Sequence, residues 1–514
     1  MLTHMERNSI RFFILLGGTA ATLAAQFGGG GPSGGGGIQP VQLPLSGRQA
    51  NGGAVTTTQT PVPGATSSVN TINSGLQVTG PFSGSRPPAA ANPFSGKLSL
   101  AEAVQRALAA NLGAVNSGYA LRQAQAQQRV AKSPLLPNVS AYMRENVIQN
   151  DLQAFGFNFP GIGPVVGPFG YFDFRATVQQ LVADRTALHN YRAAQEAVKA
   201  SSASIADARD LIVLATGGVY LQAVAAKARV ALARVQIETA RSIYDQTLQR
   251  REAGIAAQIE VNRANVQQQT HRQRLVTLQN DLARQKITLA RITGLPVNAQ
   301  YDLSDELLFT PPPAVTPEDA LRHALEARAD LQAAEAQIRV AEKALAAARA
   351  NRLPSLSVQA DYGAIGPGFK ETQGTFNFSA NLRIPIWQGG KGAADRDLAE
   401  IALEQRRAEV ADVKGRIESE IRNAYLDMDA AASQIELARS SQEVATETLR
   451  LAQEKLSEGV TDSVEVTQAE EAVATARLDY ITGLFAHNLA KLNLARATGQ
   501  TEEKLATYLQ LKPN

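Results

Sequence analysis

The chain has 514 residues, 5% aromatic side chains, no cysteine, and a formal charge of +3 from 50 basic and 47 acidic residues. Without cysteine there is no disulfide framework, thiolate metal site, cysteine nucleophile or cysteine-borne lipid anchor, and without a basic excess there is no electrostatic footprint for nucleic acid. Few aromatics, with Ala, Leu, Gln, Glu and Arg dominating after residue 97, is the profile of long packed helices and not of a compact enzyme.

At the N-terminus, Arg7 and Arg11 precede an apolar run from Phe12 to Leu23, followed by the small residues Ala24 and Ala25. This predicts a signal peptide over residues 1–25, the run being short of the ~20 residues that span a bilayer. Residues 26–95, rich in Gly, Pro, Ser, Thr and Asn, offer too few large apolar side chains for a core and predict a disordered leader. Neither its glycine tracts nor Gly389-Gly390-Lys391-Gly392 has phosphate-loop spacing. No later segment reads as a long uncharged apolar run, so membrane insertion of the mature chain requires a β-barrel.

From residue 98 the chain repeats itself. Leu98-Ser99-Leu100-Ala101-Glu102-Ala103 matches Val315-Thr316-Pro317-Glu318-Asp319-Ala320 at an offset of 217, which holds through Leu136-Pro137 and Leu353-Pro354. Val219-Tyr220-Leu221 matches Ala424-Tyr425-Leu426, and Leu289 to Gly294 matches Leu494 to Gly499, at an offset of 205. The offset changes between Tyr142 and Phe172, so the halves differ mainly in one loop. The predicted organisation is a first repeat over 98–297, a linker over 298–314, a second repeat over 315–499 and a tail over 500–514.

Each repeat predicts one hairpin, at about 138–180 and about 355–386, from period-two alternation. Phe172, Phe174, Ala176 and Val178 alternate with Asp173, Arg175, Thr177 and Gln179; Phe376, Phe378, Ala380, Leu382, Ile384 and Ile386 alternate with Asn377, Ser379, Asn381 and Arg383. The rest predicts helix. One runs from Arg185 to Arg250, about 100 Å at 1.5 Å per residue, and needs lateral partners; helices near Leu112 to Pro134 and Gln258 to Thr293, laid end to end, nearly equal it. Ile417, Ile421, Ala424, Met428, Ala431, Ile435 and Ala438 form a heptad seam with small residues in it.

The expected fold is therefore mainly α with a small β part. Four strands cannot close a barrel, since the smallest closed ones use about eight. If the strands span a membrane, the chain must oligomerise, with Phe172, Phe174, Val178, Phe376, Phe378, Leu382, Ile384 and Ile386 toward lipid and the polar residues toward water. Enzyme readings find no support. His4, His189, His271, His323 and His487 are far apart without metal spacing, no Gly-x-Ser-x-Gly elbow occurs, and no catalytic residue, metal or cofactor is predicted.

The two helix starts, the Leu-Pro before a strand, the exit Ile384-Pro385-Ile386-Trp387-Gln388-Gly389-Gly390, the Tyr-Leu pair and the mid-helix glycines together resemble the TolC-like outer-membrane efflux protein family over residues 98–499. The resemblance implies a homotrimer with a twelve-stranded transmembrane β-barrel in outer-membrane lipid. That barrel would continue into an α-helical barrel of coiled-coil helices across the periplasm, with the 298–314 linker in its equatorial region. It also implies a periplasmic adaptor (membrane fusion) protein and an inner-membrane transporter as partners in efflux. The family's helix tips dock the adaptor, which makes Ala253, Gly254, Ile255, Glu458, Gly459 and Val460 the docking candidates. Glu465 and its counterpart Glu260 fall where the family places an entrance constriction, and converging carboxylates would favour cations. The chain departs from the family's pattern at Gln468, where a second acid is expected, and at Thr461, where a basic partner is expected. Two alternatives share many of these features: the outer-membrane component of type I protein secretion, and a soluble periplasmic coiled-coil scaffold, which needs no alternating strands.

Overall fold

The structure, a computed structural model, describes residues 53–63, 70–86, 94, 96–156, 160–161, 163–311, 315–458, 460, 463–499 and 501–502. The predicted signal peptide, the start of the leader and most of the C-terminal tail lie outside these residues.

Eight strands and eight α-helices are described: β1 (Val55–Pro63), β2 (Asn70–Val78), β3 (Lys97–Leu98), α1 (Leu100–Ala110), α2 (Leu112–Lys132), β4 (Asn138–Asp151), β5 (Val165–Ala183), α3 (Arg185–Glu252), α4 (Gln258–Thr293), β6 (Asp302–Leu303), α5 (Pro317–Ala327), α6 (Ala329–Ala350), β7 (Ser355–Gly366), β8 (Gln373–Arg383), α7 (Lys391–Ser457) and α8 (Ser463–Ala497). The order helix, helix, hairpin, long helix, helix occurs twice. Its helices hold 11, 21, 68 and 36 residues the first time and 11, 22, 67 and 35 the second.

Each short helix starts where the sequence supplies a cap. The Ser99 side chain accepts from Glu102 N at 3.2 Å to open α1, and Thr316 accepts from Asp319 N at 3.2 Å to open α5. The helix that follows is capped differently in the two halves. Buried Asn111 accepts from Gly113 N at 2.8 Å for α2, whereas the equivalent Arg328 makes no side-chain cap for α6. Arg328 instead pairs with Asp330 at 2.8 Å and Glu420 of α7 at 2.5 Å while only 1% exposed.

The long helices hold the fold together. α2 and α4 both pack along α3, which also meets α6 and α8, while α7 packs against α6 and α8. All seven residues of the heptad seam, from Ile417 to Ala438, are buried in α7. The alanines among them, Ala424, Ala431 and Ala438, let the neighbouring helices approach closely.

Two expectations need correction. First, the leader is partly folded. β1 and β2 form an antiparallel hairpin, Phe82 is buried, and Val55, Leu76 and Val78 pack on the main core. What the sparse apolar count missed is a socket on α3: a Cβ at Gly218 would lie 2.5 Å from Leu76 Cδ2, so the glycine makes room for the hairpin. Second, α3 contains one stretch long and apolar enough to cross a bilayer, but 78% of it is buried in the protein. It includes Ile212, Val213, Val219, Tyr220 and Val224, the centre of the main core, and its apolarity is spent on helix packing.

Tyr220 joins that core to the linker. Its hydroxyl lies 2.7 Å from Asp305 Oδ2 and 2.9 Å from the Leu98 carbonyl, and the same Asp305 oxygen accepts from Leu100 N at 2.7 Å. Burial first, then the Asp305 carboxylate, hold the phenol far above its ordinary range, so it acts as a donor. Tyr220→Phe leaves the half-buried Asp305 carboxylate short of one partner and is expected to cost about 1–2 kcal/mol, read as a lowered midpoint in thermal unfolding followed by circular dichroism in detergent.

Candidate functional site

Two regions carry the predicted functional residues: the four-stranded sheet and the two tips where long helices reverse.

The sheet has the order β4-β5-β7-β8, all antiparallel. The register stacks Val139, Val178 and Ala360 across one face with Met143, Phe174, Tyr362, Phe376 and Phe378. Phe376 is 80% exposed and Phe378 65%, while Asp173 on the opposite face is only 9% exposed. Asp173 is sheltered because the Arg175 guanidinium lies against it at 3.3 Å, whereas nothing among the described residues covers the two phenylalanines. Leu382, Phe174 and Val178 are exposed on the apolar face as well. Phe172 is half-covered, because it meets Phe369 edge-on at 5.3 Å. The second hairpin ends at Arg383 and not at 386. Pro385 cannot donate to a ladder, so Ile384 and Ile386 lie past the strand, where Ile386 is 93% exposed beside the exposed Trp387.

At the first tip α3 ends at Glu252 and Ala253 is the cap. Gly254 has φ 75°, a left-handed conformation that an L side chain resists. It turns the chain so that Ile255 N and Ala256 N donate back to Arg250 O at 2.8 and 3.2 Å, satisfying an orphan helix carbonyl. At the second tip Glu458 is the cap of α7, and Val460 N donates to Lys455 O at 3.0 Å. Gly459 and Thr461 lie outside the described residues. Ile255 is 69% exposed and Val460 73%, so each tip presents one aliphatic side chain. The tips are joined: Arg250 Nη1 donates to Leu456 O at 2.9 Å, above a cluster of Ile243, Ala452, Leu456, Val466 and Ala469.

Glu465 stands in the first turn of α8 and pairs with Lys455 of α7 at 3.0 Å. Glu260 is in the first turn of α4, where the helix dipole favours an acid. Gln468 lines an apolar groove of about 410 Å³ between α4 and α8, with Ile259, Val266 and Val464 among its walls. Sequence reasoning missed Lys455 and Arg250. Both act across a helix reversal, which no helical periodicity reports.

Further from the tips, α4 and α8 bury a polar layer. Gln267 Nε2 donates to Glu471 Oε1 at 2.8 Å and lies 3.2 Å from His271 Nε2. His271 is 4.0 Å from Glu471, which Arg274 also approaches at 3.8 Å. Burial lowers the His271 pKa, opposed by Glu471 and assisted by Arg274. Burial, reinforced by the neighbouring Glu471 carboxylate, pushes Glu470 up to about 7. Glu470 Oε1 has no hydrogen-bond partner among the described residues. No group of three His, Asp or Glu placed to hold a metal ion occurs among the described residues.

The sequence profile of the outer membrane efflux protein family matches residues 103–295 and 320–500. Among relatives, the outer membrane protein OprJ of Pseudomonas aeruginosa is 26% identical over 423 residues, 75% of this chain and 82% of that one. The probable efflux pump outer membrane protein TtgC of Pseudomonas putida is 24% identical over 417 residues, 78% of this chain and 82% of its own. The pyoverdine export outer membrane protein OpmQ of Pseudomonas aeruginosa is 28% identical over 288 residues, 54% of this chain and 59% of that protein. Of solved structures, the Campylobacter jejuni CmeC outer membrane channel superposes with a TM-score of 0.70 at 18% identity, covering 78% of this chain and 86% of that one. Long paired helices feeding a small amphipathic sheet thus define the class of TolC-like outer-membrane channels. The chain belongs to the outer membrane efflux protein family and is a protein of the outer membrane.

The polar layer yields a pH dependence. The folded chain holds the Glu470 proton to a higher pH than the unfolded chain, so its stability is full below the ordinary glutamate value of 4.5 and falls as pH rises to about 7. Glu470→Gln removes this loss. Its melting temperature is expected to match the wild type near pH 4.5 and to exceed it above pH 7, by up to about 3 kcal/mol per protomer in stability.

Proposed function

We propose that the protein is the exit duct of a tripartite efflux system. In this reading three copies pair β8 of one with β4 of the next, closing twelve strands into a barrel. Phe174, Val178, Phe376, Phe378 and Leu382 face lipid, and the helices continue the duct into the periplasm, the two halves of each chain being one duplicated unit. The observation that carries it is the sheet, whose end strands β4 and β8 each have one edge unpaired among the described residues. A bilayer supplies no water to satisfy such edges, so closure is required. The helices support the same assembly. Leu437, Val444 and Leu451 of α7 are exposed one heptad apart, as suits a helix that gains a neighbouring copy.

An inner-membrane transporter would load the duct through a periplasmic adaptor that docks at the tips, on Ala253, Gly254, Ile255, Glu458, Gly459 and Val460. Such docking needs exposed small and aliphatic residues on a rigid turn. Glu465, with its first-half counterpart Glu260, would set the charge preference of the entrance.

Planar-bilayer conductance of the purified protein tests the reading. Stable cation-preferring steps are expected. Glu465→Gln should weaken the preference, and Lys455→Gln, which removes the partner that partly neutralises Glu465, should strengthen it. Absence of channels from a correctly folded preparation would overturn the duct.

A further inference from the structure

The polar face of the sheet carries an ordered run of opposite charges. In the register Arg144 of β4 stands opposite Asp173 of β5. Arg175 follows two residues along β5, and Asp361 of β7 is diagonal to it, since Arg175 pairs with Gly363 and Thr177 with Asp361. The Arg175 guanidinium reaches three strands. Nη1 donates to Asp361 Oδ1 at 2.5 Å, Nε to Asp173 Oδ1 at 3.3 Å, and Nη2 to Thr375 Oγ1 of β8 at 3.1 Å. The Asp361 and Asp173 side chains are 8% and 13% exposed, and Arg175 15%. The two carboxylates are therefore covered by the cation that bonds them.

We propose that Arg175 is a specificity-determining residue of the barrel: by masking Asp173 and Asp361 it keeps this level of the duct free of net charge. The proposal rests on the reading of the sheet as one third of a closed, water-filled barrel. Arg144 and Arg175 balance Asp173 and Asp361, so selection by charge is left to the tips, where Glu465 lies more than the length of α7 away along the chain. Such a mid-barrel level passes cations, anions and zwitterions alike, which suits an exit duct that must not hold what the entrance has admitted. Removing one guanidinium per copy uncovers a surplus carboxylate in each of three copies. A carboxylate about 4 Å from a passing cation in water enriches it roughly fivefold, and at 0.1 M salt the screening length of about 10 Å leaves that effect in place at the wall.

The test is the reversal potential of single channels in a KCl gradient. Arg175→Gln is expected to raise the cation-to-anion permeability ratio by roughly fivefold. Arg175→Lys, which keeps the charge but loses the forked bond, is expected to stay near wild type, and Arg175→Gln combined with Asp361→Asn to return there. Asp361→Asn alone, which leaves Arg175 as a surplus cation and is expected to lower the ratio, serves if Arg175→Gln alone fails to assemble, and an unchanged ratio there would overturn the proposal as well. An unchanged ratio in Arg175→Gln, or equal shifts in Arg175→Gln and Arg175→Lys, would overturn the proposal, the latter because it marks a merely structural tie. If the wild type forms no channel, the barrel reading itself fails and takes this inference with it; a conducting wild type with an indifferent Arg175→Gln removes this inference alone.

Discussion

A backbone amide in hydrocarbon must find its partner within protein, because no water is there to supply one. The sheet β4-β5-β7-β8 satisfies this internally at three strand junctions and leaves its two outer edges unpaired among the described residues. Much of the rest of the structure follows from how the chain serves those four strands. Their apolar side chains stand exposed on one face, and the other face carries the hydrogen-bonding and charged ones, with Asp173, Arg175 and Asp361 covering one another. Each hairpin is followed by a helix of nearly seventy residues. The strand-to-helix passage is short and firm in the first half, where the Asp184 side chain accepts from Ala187 N at 2.9 Å one residue after β5 ends. In the second half Pro385 ends the strand, and Gly389 and Gly390, both at positive φ, turn the chain into α7.

Helices of that length are stable only when covered along their flanks. α3 is covered by α2 and α6 at one level and by α4 and α8 at another, which is why its apolar stretch is buried. Contact is made close by small side chains. Ala424, Ala431 and Ala438 line the buried seam of α7, and Gly217 and Gly218 admit Leu492 and Leu76 against α3. The second of these contacts draws in the hairpin β1-β2, so a segment poor in apolar residues is held by a few well-placed ones.

The two halves share a plan but spend their polar groups differently. Where the first half caps α2 with Asn111, the second places Arg328 and surrounds it with Asp330, Glu420 and Arg416. Burial alone would raise Asp330, but its bonds with Arg328 and the field of Arg496 and Arg416 outweigh that and hold it at about 2. A buried network of this kind adds little net stability, yet loss of one partner strands a charge and costs about 3–5 kcal/mol. The halves are joined at β5 and β7 as well, where Arg175 reaches across the seam.

Periodic features were legible in the sequence because their cause is local. Period-two alternation marked the strands, heptad spacing marked the buried face of α7, and glycine and proline marked several reversals, with α4 beginning and ending at Gln258 and Thr293 as expected. Family resemblance rested on these same landmarks. What only the tertiary structure decided are contacts between positions with no periodic relation. Arg175 and Asp361 are 186 residues apart, Lys455 meets Glu465 around a turn, and Leu76 enters a socket made by Gly218. A local pattern states which face of an element is apolar, but pairing energy depends on which other face it meets. For charges and sockets that partner is set by the packing of the whole chain, so these features appear only once the helices and strands are in place.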